Sequence, residues 1–192
     1  IAEIENQVEG FHVVDPTTGL YGFKLVRADY VFENLEVMSA ATGVLELVDM
    51  SVPLWEETTA NLIWTEFQDP NKNYEQSYAL AQDPANQAIL GEVVGTTLVF
   101  PGVKDGALAN RVGWREQRTA SNPPRRFGIK LDRSWYWLTR GDVVRFQWTF
   151  SNNIEMDMAL RVKSVNYGTL DNNTITIEAV KDIYQTEIGS FA

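Results

Sequence analysis

The side chains that most often carry catalysis are scarce in this chain of 192 residues, which has no cysteine and one histidine, His12. A thiol nucleophile, a disulfide framework, a Cys/His zinc site and a Ser-His-Asp triad therefore lose most of their raw material. Carboxylates remain. Glu56 and Glu57, beside Trp55, are the sharpest candidates for cutting a glycosidic bond, which needs two acids held at a defined separation across a sugar cleft. Adjacent strand residues point to opposite faces, so the two converge on one bond only if a bulge intervenes, and catalysis is not expected there.

Metal and phosphate chemistry finds equally little support. Asp69-Pro70-Asn71 and Asp171-Asn172-Asn173 offer oxygen ligands of the kind calcium prefers, but neither has the spacing of a calcium loop, and turn formation accounts for both. Gly91, Gly95 and Gly102 are scattered and no phosphate loop surrounds them. Asn172-Asn173-Thr174 also fits the acceptor pattern for N-glycosylation, a short motif that turn chemistry explains equally well. The sequence thus predicts no cofactor, no metal and no enzyme. Trp135-Tyr136-Trp137 is the one aromatic cluster: read as a strand, it puts Trp135 and Trp137 on one face, for a subunit or domain interface, with core packing and sugar stacking as alternatives.

The elements that would position these residues are mostly strands. Tyr21, Phe23 and Leu25 alternate and predict a strand with one buried face, and Val44–Val48 predicts another. Leu62 and Trp64 alternate against Asn61 and Thr65; the turn residues from Gln68 to Asn73 then lead into Tyr74–Leu80, so the whole reads as a hairpin. Asp83-Pro84 can open a short helix, and Val93–Phe100 returns to strand chemistry. The principal helix is predicted over 104–118, with Leu108 and Val112 on its apolar stripe, Trp114 on a neighbouring one, and Asn122-Pro123-Pro124 as its stop. Beyond it come Phe127/Ile129/Leu131, Val144/Phe146/Trp148/Phe150, Leu160/Val162 and Ile175/Ile177, separated by turn residues. Four such strands predict an antiparallel meander that curls to protect its edges, with the helix across a sheet built from residues 93 to 181.

Charge is divided between the halves. Residues 1–100 carry 3 basic and 16 acidic side chains, a net −13, whereas residues 101–192 carry 13 and 10, a net +3. Tight binding to nucleic acid draws on a basic face, and the first half argues against one. No run of 18 apolar residues exists, so no membrane insertion is expected. The chain begins at Ile1, from which a segment of a longer polypeptide is expected. An aromatic load of 6 Trp, 7 Tyr and 9 Phe suits half-buried sheets and the centres of interfaces.

Several strings in fixed order carry a resemblance. FQDPNKNYEQSYALAQDPANQAILG at residues 67–91, ALANRVGWREQR in the predicted helix, LTRGDVVRFQW, and LRVKSVNYGTLDNNTITIEAVKDIY near the end together resemble the tail-tip, host-specificity (baseplate hub) proteins of siphophages, which are related to tail-tube proteins. The motif residues are Asp69, Pro70 and Asn73 in the hairpin turn and Gly141, Asp142 and Val143 at a strand start, where Arg140 stands in place of the usual Pro. The resemblance implies a mainly β fold with one principal helix (α+β), an antiparallel tube-domain-like β-barrel or curved sheet plus a smaller β-containing insertion lobe. It assigns residues 1–50 to the adjoining insertion lobe and 51–192 to the barrel domain containing helix 104–118. It further implies a virion protein of the tail tip, made in the bacterial cytoplasm. A homotrimeric ring would contact tail-tube, distal-tail and fibre proteins and let DNA pass without holding it. The family has no catalytic residues to carry over. The alternative reading is a β-rich module that binds a cell-surface carbohydrate or protein.

Overall fold

Period-two apolar patterning produces strands that bury one face, and the computed structural model of the protein is accordingly mainly β, with two α-helices among the described residues. The structure describes residues 5, 8–51, 60–121, 123–169 and 171–185. In chain order the strands are β1 (Gly10–Val14), β2 (Tyr21–Leu25), β3 (Val37–Met38), β4 (Val44–Ser51), β5 (Leu62–Asp69), β6 (Glu75–Gln82), β7 (Gly95–Val99), β8 (Arg126–Asp132), β9 (Val143–Thr149), β10 (Glu155–Asn166) and β11 (Thr174–Lys181). Helix α1 (Pro84–Leu90) follows β6, and α2 (Gly106–Ser121) follows β7.

The chain divides into two units, Ile1–Glu9 with Pro53–Pro123 and Gly10–Val52 with Pro124–Ala192. This differs from the split at residue 50 read from the sequence, because β3 and β4 join the sheet formed by the last four strands. Edge strands carry no local mark of a partner that lies about a hundred residues away in the chain, a separation that loop-closure entropy penalises only slowly.

In the unit Gly10–Val52 with Pro124–Ala192, a curled half-barrel sheet runs in the order β3-β9-β10-β11-β8-β4. The strands from β9 to β11 form the expected meander, but β8 does not adjoin β9; it lies between β11 and β4. Alternation places Phe127, Ile129 and Leu131 of β8, Val144 and Phe146 of β9, Leu160 and Val162 of β10, and Ile175 and Ile177 of β11 in one core. Phe127 and Phe146 meet there with ring centroids 5.8 Å apart. Both edges are blunted: β3 has two residues, and β4 carries register shifts at Val44/Glu46 and Leu47/Asp49. A separate antiparallel ribbon, β1–β2, pairs only with itself, and no residue from 10 to 31 enters the core. Tyr21, Phe23 and Leu25, expected to share a buried face, are exposed, Tyr21 to 86%. Their alternation is real, but no second layer covers that face.

In the unit Ile1–Glu9 with Pro53–Pro123, the three-stranded sheet runs β6-β5-β7, with β5–β6 the expected hairpin and β7 parallel to β5. Strand β6 returns the chain to the starting end of β5, and α1 then carries it past that end to β7 on the other side. Helix α2 packs on β5 and β6, so the principal helix braces this small sheet rather than the curved one. Its buried stripe is Ala109, Val112, Gly113, Gln117 and Ser121, while Leu108 and Trp114, expected near the apolar stripe, are exposed. Small residues win this face because the helix lies close: a Cβ on Gly113 would stand 2.6 Å from Oγ1 of Thr65.

The same close approach inverts the expected face of β5. Ile63, Thr65 and Phe67 point to the helix and Trp64 is 40% exposed, while Asn61 is fully buried. Asn61 is a polar hub. Its amide nitrogen donates to Oδ1 of Asn86 at 3.2 Å and to the Glu92 carbonyl at 3.0 Å, and its Oδ1 accepts from the Val94 amide at 2.8 Å. Asn86 continues to the Ser121 carbonyl at 3.2 Å, and Asp83 caps α1 by accepting from the Asn86 amide at 3.0 Å. A buried amide satisfied in this way ties β5, α1 and the end of α2 together.

Candidate functional site

The turn before β9 gathers the strongest polar construction in the unit Gly10–Val52 with Pro124–Ala192. Gly141 takes φ +90, a conformation that a residue with a Cβ resists, and the Phe11 ring sits where that Cβ would be. Asp142 closes the turn: its Oδ2 accepts from the Thr139 amide at 2.7 Å and from the Thr139 hydroxyl at 2.8 Å. Its Oδ1 accepts from Nζ of Lys24 at 2.5 Å, and the same Nζ donates to Oγ1 of Thr139 at 2.5 Å. The guanidinium of Arg140 lies 4.5 Å from the centroid of the Phe11 ring, a cation–π contact. Val143 starts β9 by pairing with Arg161 of β10.

Arg161 is the buried member of this group. One guanidinium nitrogen donates to the Gly141 carbonyl at 3.1 Å; the other donates to the Arg27 carbonyl and to Oδ2 of Asp182, each at 2.8 Å. Its Nε is buried without a partner. Asp182 is itself buried, and its Oδ1 accepts from the Tyr184 amide at 3.2 Å. Burial, with Asp182 beside it, holds the Tyr30 phenol above the usual tyrosine range, and the Tyr30 hydroxyl makes no hydrogen bond of regular geometry.

Lys24, Asp29, Tyr30, Leu35, Asp142 and Arg161 line an open cleft of about 350 Å³. Two of its cations already face carboxylates, Lys24 on Asp142 and Arg161 on Asp182. The arrangement joins separate chain segments through ion pairs and hydrogen bonds. Among the described residues no cluster of three His, Asp or Glu side chains could hold a metal.

The other residues singled out by sequence lie in different places. Asp69, Pro70 and Asn73 belong to the other unit, at the tip of the β5–β6 hairpin. Asp69 caps a short 3-10 turn by accepting from the Asn71 amide at 2.9 Å, Pro70 occupies its first position, and Asn73 takes φ 54. Turn chemistry accounts for all three. Trp135 and Trp137 do not lie on a strand: Arg133–Trp135 is a 3-10 turn, and the two rings approach to 5.6 Å. Trp135 is 3% exposed and its indole N–H donates to the Thr42 carbonyl at 2.8 Å, so it serves the core of its own unit and has no open face for a partner. Trp137 is half-buried against the same core. His12 stacks edge-on against Phe23 at 5.3 Å. Trp55, Glu56 and Glu57 lie outside the described residues.

Two surfaces escaped the sequence reading. Trp64, Tyr78, Leu80 and Val99 are exposed on the face of the three-stranded sheet opposite α2; Trp64 pairs directly with Leu80, and Glu66 with Tyr78. Val14, Leu20, Tyr21, Phe23 and Leu25 are exposed on the β1–β2 ribbon. Alternation marks one face as apolar in both cases but does not say whether anything covers it. Neither helix, being short or polar, is long and apolar enough to cross a membrane.

Comparison with known proteins points in one direction. The family profile described as "Putative phage tail protein" matches residues 13–165. No curated protein sequence matches significantly. Among solved structures, a chain of the virion of a native gene transfer agent particle superposes with TM-score 0.68 at 20% identity over 99% of this chain and 39% of its own. The tail protein from Neisseria meningitidis MC58 gives 0.59 at 11% identity, covering 95% and 54%. The 43 kDa tail protein of prophage MuSo2 from Shewanella oneidensis gives 0.51 at 11%, covering 96% and 54%. At these identities the likeness is one of fold, and the chain spans about half or less of each of these proteins.

Proposed function

The chain belongs to the family of phage tail proteins whose profile it matches over residues 13–165, and from that premise we propose that it is a structural part of the tail tip, in the baseplate hub of a long-tailed phage or prophage. There it forms a homotrimeric ring between the tail tube and the receptor-binding parts, touching distal-tail and fibre proteins. The unit Gly10–Val52 with Pro124–Ala192 is the tube-like element of the ring, and Pro53–Pro123 is the lobe inserted into it. Both the fold likeness to tail proteins and the charge-paired turn around Gly141-Asp142-Val143 support a scaffold role.

The observation that carries the reading is apolar surface left open in both units: Leu20, Tyr21 and Phe23 in one, Trp64, Tyr78 and Val99 in the other. Contiguous exposed apolar side chains are what assembly covers. The acidic first half fits the passage of DNA without retention, since carboxylates repel phosphate. The test is electron microscopy of intact particles labelled with an antibody to this chain, together with native mass spectrometry of the intact protein. Label at the tail end and a trimeric mass are expected. Label along the tube, label absent from particles, or a protein that stays monomeric within isolated tail tips would overturn the hub assignment.

A second reading, a module that binds a cell-surface carbohydrate or protein, has one specific support: Trp64 and Tyr78 stand exposed on one sheet face beside Glu66, which accepts from the Gln76 amide nitrogen at 3.0 Å. Loss of adsorption in Trp64→Ala particles whose tails assemble normally would favour it over the scaffold.

A further inference from the structure

We propose that the outer face of α2 in one copy of the chain docks on the open face of the β6-β5-β7 sheet in the next copy, a head-to-tail contact that builds the ring; this deepens the hub reading and rests on it. The two faces lie on opposite sides of the unit Ile1–Glu9 with Pro53–Pro123, because α2 packs on the other side of β5 and β6. A patch and its complement on opposite sides of one body make a heterologous contact, which repeats from copy to copy and closes into a ring when the rotation allows.

The sheet face carries a charge at its centre. Alternation along β5 turns Trp64 and Glu66 away from α2, while Ile63, Thr65 and Phe67 are buried. Across the strands Glu66 stands between Tyr78 and Val99, and Trp64 between Leu80 and Thr97. The Glu66 carboxylate accepts from the Gln76 amide nitrogen at 3.0 Å, but no cation pairs with it among the described residues. A purely apolar partner would strip water from this carboxylate and return nothing. The occupant must therefore bring a cation set among apolar or aromatic side chains.

Helix α2 presents that pattern on its outer face. Its single carboxylate, Glu116, is engaged by Arg115 at 2.7 Å, and Arg115 also lies 3.5 Å from Glu9. Arg111 and Arg118 are left exposed. With Trp114 they fall at i, i+3 and i+7 on one stripe, and Leu108 lies one turn before Arg111; Trp114 and Leu108 are themselves exposed. The spacings agree as well. Trp64 and Glu66, two residues apart on a strand, are separated by about 7 Å; Arg111 and Trp114, one helical turn apart, by about 5–6 Å. Arg111 can thus meet Glu66 while Trp114 packs beside Trp64, and Trp, Tyr and Arg are the residue types that dominate binding at protein interfaces.

Disulfide cross-linking tests this, since the chain has no cysteine of its own. Thr97 pairs with Trp64 on the sheet face, and Asn110 is exposed next to Arg111 on α2. The sheet lies between the two positions, which puts them beyond disulfide reach within one chain. In assembled tails under mild oxidation, the chain carrying both Thr97→Cys and Asn110→Cys should give covalent dimers and trimers, and each single variant should give neither. Adding Glu66→Arg should cut the yield about 10-fold or more, because two cations then face each other, and adding Arg111→Glu as well should restore it. Dimers from Thr97→Cys alone, a cross-link from that position to a different tail protein, or a yield that ignores Glu66→Arg would overturn the contact. A trimeric mass without the cross-link would overturn this contact and leave the hub reading standing, whereas a chain that never meets another copy in assembled tails would overturn both.

Discussion

Replacing Arg161 by Met should be among the most damaging single changes in the chain. The guanidinium neutralises Asp182, which is 2% exposed, and satisfies the carbonyls of Gly141 and Arg27. Met matches the aliphatic stem and removes all of these bonds. Breaking one partner out of a buried pair costs about 3–5 kcal/mol, because a buried carboxylate is left uncompensated. Each orphaned carbonyl adds about 1 kcal/mol where water cannot reach it. Taking about 4 kcal/mol and a urea m-value of about 2 kcal/mol/M, the midpoint should fall by about 2 M. Urea unfolding followed by tryptophan fluorescence reads this directly, since Trp135, Trp137 and Trp148 all pack against the core of the same unit. Arg161→Lys should recover part of the loss, as one ammonium keeps the charge but cannot span both carbonyls and the carboxylate. Arg161→Met combined with Asp182→Leu should also be less damaging than Arg161→Met alone. A midpoint shift below about 0.5 M for Arg161→Met, equivalent to about 1 kcal/mol at that m-value, would refute the claim that the pair is desolvated.

Three further outcomes are expected. Gly141→Ala should lower stability by about 2 kcal/mol or more, from the left-handed backbone and the collision with Phe11, and Phe11→Ala should relieve the second part in the double variant, read from the same urea curves. Thr65→Val should stabilise the chain by about 1 kcal/mol, because the Thr65 hydroxyl is buried beneath α2 with no partner and Val keeps its shape; thermal unfolding checks the sign. The Asp157 carboxyl is held below its usual range chiefly by hydrogen bonds from Arg145, as the guanidinium grips both oxygens. A depressed folded-state value contributes stability above the unfolded value of 3.8 and loses it as pH falls through the folded value. Wild type should therefore lose urea resistance more steeply than Asp157→Asn between about pH 5 and about pH 2.

Legibility differed from element to element for physical reasons. Strands β8 and β11 could be read because alternation buries one face of each, whereas β10 buries Ala159 to Val162 in an unbroken run; the turns at Asp69 and Asp83 could be read because their bonds are local. Helix α2 was legible in position, but its buried stripe was not. Hydrophobicity pointed to Leu108, whereas the distance to β5 demanded Ala109 and Gly113. The motif Gly141-Asp142-Val143 could be picked out as a turn, but its partners Lys24 and Arg161 lie 118 and 20 residues away along the chain from Asp142 and Gly141, respectively.

By itself, then, the sequence determined what most segments would become, strand, turn or helix, with Trp135–Trp137 the exception, and it wrote the family in the order of its turns. Only the tertiary structure decided which segments share a sheet, that β8 joins β11 and β4, that α2 braces β5 and β6, and which apolar faces stay open. The reason is range. Propensity and periodicity act over a few residues, while pairing and burial are settled between segments whose meeting costs entropy that rises only slowly with their separation, so many partners compete and packing selects among them.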